Sequence, residues 1–86
     1  MTYYVHFLKS KKDNQFYIGC TSKNPKERLK EHNFGMVKYT SVRRPFRLYY
    51  FESFANKKEA FKREWYLKHP QGYQDKLRIK NKISVN

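Results

Sequence analysis

Glu64, Tyr17, Arg28 and His32 are side chains of types that can do chemistry, and a lone glutamate such as Glu64 is compatible with work on a phosphodiester. Glu64 falls in a helical stretch beside Ala60, Phe61, Trp65 and Leu67, which read as its apolar side. A carboxylate there is costly unless it is ion-paired or metal-bound. A salt bridge to an arginine or a rim position would satisfy it. So would a hard cation such as Mg²⁺, which takes one or two protein carboxylates and completes its shell with water and phosphate. Tyr17 stands two residues before Gly19, and a glycine inside a strand lets another group come close. Arg28 and His32 are four apart, hence on one face of any helix that carries them.

The elements that must position these groups are legible from local chemistry. Residues 3–8 and 16–18 are strand formers around a polar segment with Asp13-Asn14 as the turn. A two-residue turn there pairs residues whose numbers sum to 27: Ser10 faces Tyr17, and Leu8 faces Gly19. Alternation then groups His6, Leu8, Ser10, Tyr17 and Gly19 on one face. Asn24-Pro25-Lys26-Glu27 starts a helix that runs to about Asn33, with Gly35 as its stop. A basic loop spans 35–45, and a third strand spans 46–54. Asn56-Lys57-Lys58-Glu59 opens a second helix, ended by Pro70. Residues 71–80 read as a third short helix, although Leu77, Ile79, Ile83 and Val85 also alternate as a strand would. The expected fold is α+β, a three-stranded, mainly antiparallel sheet flanked by helices in the order β-β-α-β-α-(α). Residues 1–80 form one domain, with 81–86 a tail.

The 86 residues carry 20 Lys and Arg against 7 Asp and Glu, a net charge of +13. Self-repulsion of that size is relieved by an anionic polymer, and released counterions drive the binding. Aromatic residues make up 19% of the chain, which suits a folded core and not a disordered basic tail. The single cysteine, Cys20, excludes an intrachain disulfide, and no His/Cys spacing matches a zinc site. No signal-like or membrane-spanning stretch is present, so a cytoplasmic protein without a membrane partner is expected.

Tyr4-Val5-His6, ten intervening residues and Tyr17-Ile18-Gly19 together resemble the two-part signature of the GIY-YIG nuclease family. The resemblance continues through Glu27-Arg28-Leu29-Lys30-Glu31-His32, Lys38-Tyr39-Thr40, Arg43-Arg44-Pro45 and Glu64. It covers roughly residues 3–70 and is strongest toward short stand-alone bacterial members. It implies an endonuclease using a single divalent ion, Mg²⁺ or Mn²⁺, on DNA, with RNA as the other possible polymer. Products would carry 5′-phosphate and 3′-hydroxyl ends. Residue by residue, Glu64 corresponds to the metal-binding glutamate and Tyr17 to the tyrosine near the attacking water. Arg28 corresponds to the arginine that stabilises phosphate charge, and His32 to an active-site His or Tyr.

His6 departs from the pattern, which has tyrosine there. Its ordinary pKa near 6.5 suits a base or proton relay; the same substitution suits a non-catalytic nucleic-acid-binding module on this fold. Lys38, Tyr39, Arg43, Arg44 and Arg47 are the candidates for gripping nucleic acid. Such contacts position a substrate without reading its sequence. Recognition of DNA shape, or targeting by a protein partner, in repair- or recombination-type processing is the expectation.

Overall fold

The computed structural model describes the backbone of residues 1–85 and the side chains of residues 1–81. Strands β1 (Tyr3–Ser10), β2 (Phe16–Thr21) and β3 (Phe46–Phe54) form one antiparallel sheet in the order β2-β1-β3. Helices α1 (Pro25–Asn33), α2 (Lys57–Lys68) and α3 (Tyr73–Val85) cover it. The third helix thus settles the 71–85 region as helical, and Asn86 lies outside the described residues.

The hairpin register differs from the sequence expectation. Leu8 pairs with Tyr17 and His6 with Gly19, so partners sum to 25 and not 27. The cause is the loop. Ser10 N–H bonds Gln15 O at 2.9 Å and Asn14 N–H bonds Ser10 O at 3.0 Å, which closes residues 11–14 as a four-residue loop. Asn14 takes the left-handed conformation, φ 60°, which asparagine tolerates. The Ser10 hydroxyl accepts from Lys12 N–H at 3.1 Å and donates to Arg43 O at 2.5 Å, tying the loop to a distant segment. A slip of two residues leaves every side chain on its original face, so His6, Leu8, Ser10, Tyr17 and Gly19 remain together.

Between β1 and β3 the register shifts at Phe7/Leu8: Phe7 pairs with Tyr50 and Leu8 with Leu48. Tyr49 is the extra residue of this bulge. It and Tyr50 both join the face that carries Val5, Phe7 and Ile18, where Ala60 and Leu67 of α2 complete the core. Tyr49 also donates its hydroxyl to Lys80 O at 2.6 Å, docking α3 on β3.

Helix α1 lies across the other face. Asn24 caps its N-terminus by accepting from Lys26 N–H at 2.9 Å. Gly35, at φ +79°, ends it: Gly35 N–H bonds His32 O at 3.0 Å and Met36 N–H bonds Glu31 O at 3.1 Å. The Asn33 amide donates to Phe46 O at 3.0 Å and accepts from Phe46 N–H at 2.6 Å, pinning α1 to β3. These bonds set His32 over the sheet opposite His6. Helix α2 opens on Asn56, which accepts from Glu59 N–H at 2.9 Å. Its Arg63 donates to both Glu52 oxygens, at 2.8 and 3.0 Å, joining α2 to β3.

Candidate active site

His6, Tyr17 and His32 form a ring cluster between α1 and the sheet. Ring centroids lie 6.3 Å apart for His6–Tyr17, 6.1 Å for His6–His32 and 5.1 Å for Tyr17–His32. Gly19 makes this approach possible. A Cβ at Gly19 would stand 2.9 Å from Tyr17 Cε2 and 3.1 Å from His6 Nε2.

Both histidines are fully buried, and three of their ring nitrogens (Nδ1 and Nε2 of His6, Nε2 of His32) have no hydrogen-bond partner among the described residues. Buried polar atoms are normally satisfied, so such a group of orphans suits an ordered water or proton exchange within the cluster. The fourth nitrogen is engaged: His32 Nδ1 lies 2.7 Å from Thr40 Oγ1. The Thr40 hydroxyl also lies 3.3 Å from Val37 O. With the Thr40 proton on Val37 O, His32 Nδ1–H is the donor to Thr40 and Nε2 keeps a lone pair; with the Thr40 proton on Nδ1, the tautomer reverses.

Electrostatics keep both rings neutral. Burial lowers the His6 pKa to about 4, with His32, Arg28 and Lys68 adding to the effect. Burial also lowers His32 to about 4, helped by Arg28 and opposed by Glu31. Arg28 thus acts on both rings from one turn earlier on α1. Its guanidinium is held by Glu31 at 2.7 Å, and Glu31 is also paired with Lys23.

Glu64 stands on the α2 side of the β2 edge, its charge helping burial to push the Cys20 thiol up. Its partner is not an arginine but Lys68, one turn on, whose Nζ is 3.2 Å from Oε2. The same Nζ is 5.8 Å from the Tyr17 ring centroid, so Lys68 links the carboxylate to the cluster. The apolar side of α2 is narrower than the sequence pattern implied. Ala60 and Leu67 are buried, whereas Phe61 and Trp65 are 46% and 52% exposed. Glu64 sits at the border between the two.

Beside Tyr17 a concavity of about 370 Å³ is lined by Tyr39, Arg43, Lys68 and Lys76 among others. Tyr39 is exposed and approaches Tyr17 at 5.9 Å between centroids. Arg43 is steadied by Asp13 at 3.2 Å, and Lys38 is exposed. Arg44 folds back over Gly35, where an added Cβ would overlap its guanidinium. Arg47 does not join this surface. It pairs with Lys9 in register and lies over Tyr49 on the opposite face of the sheet, at 5.8 Å. Strand alternation explains this, because Phe46 points toward His32 at 6.1 Å. Sequence reasoning missed Lys68 and Thr40 as functional candidates. Only the spacing of Lys68 four residues after Glu64 pointed to it.

Residues 2–76 match the family model of the GIY-YIG catalytic domain. The chain belongs to the GIY-YIG family. Among its relatives, the UPF0213 protein of Clostridium perfringens is 50% identical over 66 residues, covering 76% of this chain and 69% of that protein. The UPF0213 protein YazA of Bacillus subtilis is 44% identical over 72 residues, covering 83% and 72%. The solution NMR structure of a Bacillus halodurans UPF0213 protein superposes with a TM-score of 0.56 at 35% identity, covering 95% of this chain and 86% of that one. The chain is thus a GIY-YIG domain of the short bacterial UPF0213 type, a nuclease family whose substrate is nucleic acid. No helix among the described residues is long and apolar enough to cross a membrane.

Proposed function

We propose that this GIY-YIG domain is a divalent-metal-dependent endonuclease that hydrolyses DNA phosphodiester bonds. It would be directed by DNA shape or by a protein partner, in repair- or recombination-type processing. The observation that carries the reading is the meeting of Tyr17 with two buried, neutral histidines that present unpaired ring nitrogens, under the positive charge of Arg28. Hydrolysis needs a water deprotonated as it attacks phosphorus, a neutralised phosphate and a stabilised leaving oxygen. A phenol holds its proton at neutral pH, since its ordinary pKa is about 10. Tyr17 can orient the water and pass the proton to an adjacent acceptor. His32 Nε2, in the tautomer that donates Nδ1–H to Thr40, and His6 are those acceptors. Arg28 pairs with phosphate oxygens through its planar fork. Lys38, Tyr39, Arg43 and Arg44 steady the flanking backbone.

Glu64 is the residue that would hold the metal. The described residues contain no cluster of three or more His, Cys, Asp or Glu, so Glu64 would have to share the ion with water and phosphate alone, as a hard cation such as Mg²⁺ allows. Mg²⁺ or Mn²⁺, when bound, supplies Lewis-acid polarisation and a template for the phosphate. One observation favours a second reading, a non-catalytic nucleic-acid-binding module: the Lys68 ammonium sits on the Glu64 carboxylate where the ion would be. Nicking of supercoiled DNA with Mg²⁺ or Mn²⁺ separates the two. Cleavage by the wild type and its loss in Glu64→Ala supports the nuclease. Salt-sensitive binding with both proteins equally inert supports the binding module.

A further inference from the structure

The outer face of α2 carries a second feature that the catalytic cluster does not use. Phe61 and Trp65 are four residues apart, so they share one side of the helix, and both are about half exposed. Lys58 and Lys62, also four apart, form the next row around the helix. Lys57 stands one turn before Phe61, its Nζ 5.4 Å from the ring centroid. Trp65 stacks on His69 with centroids 4.1 Å apart and planes at 16°, which extends the aromatic row. Phe61, Trp65 and the three lysines line an open concavity of about 1040 Å³. Among the described residues its only acidic lining residue is Glu59, and its fourth cation, Arg63, is engaged with Glu52.

Exposed rings interleaved with unopposed lysines suit a ligand with flat apolar faces and a regularly charged backbone. An unpaired nucleic-acid strand has both: bases stack on the rings while phosphates meet the cations. Position supports this ligand. Trp65 directly follows Glu64, and going around α2 from Glu64 one meets Lys68 and Lys57, then Phe61, Trp65 and the Lys58–Lys62 row. A strand leaving the Tyr17–Glu64 site across α2 therefore runs onto this face.

We propose that the outer face of α2 is a nucleic-acid exosite. Unpaired bases stack on Phe61 and Trp65, and the flanking phosphates pair with Lys57, Lys58 and Lys62. The proposal rests on the nucleic-acid-processing reading above, and its test separates the two.

Trp65 is the single tryptophan of the chain, so its fluorescence reports on this face alone. The full chain is titrated, without divalent metal, with a single-stranded oligothymidylate of about ten nucleotides. Binding is followed in parallel by anisotropy of a labelled copy. The exosite predicts quenching of Trp65 that saturates with the anisotropy curve. An oligomer of the same length and charge but lacking bases should quench far less. Phe61→Ala should weaken binding roughly 5- to 150-fold, the range for one lost base stack. Lys58→Gln with Lys62→Gln should flatten the slope of log affinity against log salt by about 1.4. All these side chains are exposed, and circular dichroism checks that the variants fold. Binding with unchanged Trp65 emission and unchanged affinity in Phe61→Ala overturns the exosite and leaves the nuclease reading standing. Absence of binding by any oligonucleotide overturns both. Equal quenching by polyglutamate assigns the face to an acidic protein and overturns the proposal.

Discussion

Gly19→Ala tests whether the approach of Tyr17 to His6 is a requirement of the site. The two effects of the substitution have opposite signs. At a strand position whose backbone suits an L-residue, alanine restricts the unfolded chain and stabilises by about 0.4–1 kcal/mol. Gly19 φ is outside the left-handed region, so that gain applies. Against it, the new methyl would stand 2.9 Å from Tyr17 Cε2, 3.1 Å from His6 Nε2 and 3.2 Å from His6 Cε1. Carbon contacts are comfortable only at about 3.5–4.0 Å. His6 is 1% exposed and packed under α1, so it has nowhere to go. Tyr17 is half-buried at the sheet edge and must swing outward by several tenths of an ångström. Overpacking of this kind costs about 1–3 kcal/mol, so a net loss between about 0 and about 2.6 kcal/mol is expected. The shift should also slow cleavage, because displacing a catalytic group by about 1 Å can cost 100-fold. Urea unfolding reads the stability, and single-turnover cleavage reads the rate. A Gly19→Ala protein that is more stable and cuts DNA as fast as the wild type would refute the argument that this glycine exists to let the two rings meet.

Other perturbations probe the same cluster. His6 and His32 both titrate near 4 when folded and near 6.5 when unfolded. Below pH 6.5 the unfolded chain therefore binds protons that the folded one refuses. Stability is full above that pH and falls toward pH 4, by up to about 1.4 kcal/mol per pH unit for each histidine; denaturant midpoints measured from pH 7.5 to 4 check it, and a flat profile would count against two buried neutral rings. Thr40→Val removes the hydroxyl 2.7 Å from His32 Nδ1 in a fully buried site. It should cost about 1–3 kcal/mol and release the His32 tautomer, which ¹⁵N NMR of the ring reads directly. Lys68→Ala removes the ammonium 3.2 Å from Glu64; calorimetry should show tighter Mg²⁺ or Mn²⁺ binding, and weaker binding would mean that Lys68 helps to build the metal site.

What could be read ahead of the fold depended on whether local rules were enough. The His6–Tyr17 face was legible because side chains alternate along a strand, and an error of two residues in register does not change faces. The register itself was not, because the loop is closed partly by Ser10 bonding Arg43 O, 33 residues away. Helix α1 was legible to within a residue, since Asn24 and Gly35 act locally. The breadth of the apolar side of α2 was not. Phe61 and Trp65 look like core by residue type, and only the placement of the sheet shows that Ala60 and Leu67 fill that role. Arg47 was grouped with the basic loop by proximity in sequence, although alternation from Phe46 already turns it away. Lys68 needed the tertiary structure, because its importance lies in reaching Tyr17 from another element.

Under the proposed function Tyr17 and Glu64, 47 positions apart in the chain, serve one hydrolytic centre. Single-turnover cleavage of a substrate panel (single strand, duplex, flap, fork and four-way junction) with Mg²⁺ or Mn²⁺ tests it most directly, with wild type, Tyr17→Phe and Glu64→Ala compared at one salt concentration. The wild type should cut at least one of these substrates, leaving 5′-phosphate and 3′-hydroxyl ends, and each variant should still bind that substrate but cut it at least about 100-fold more slowly. A wild type that binds all five and cuts none, or variants that cut as fast as the wild type, would contradict it.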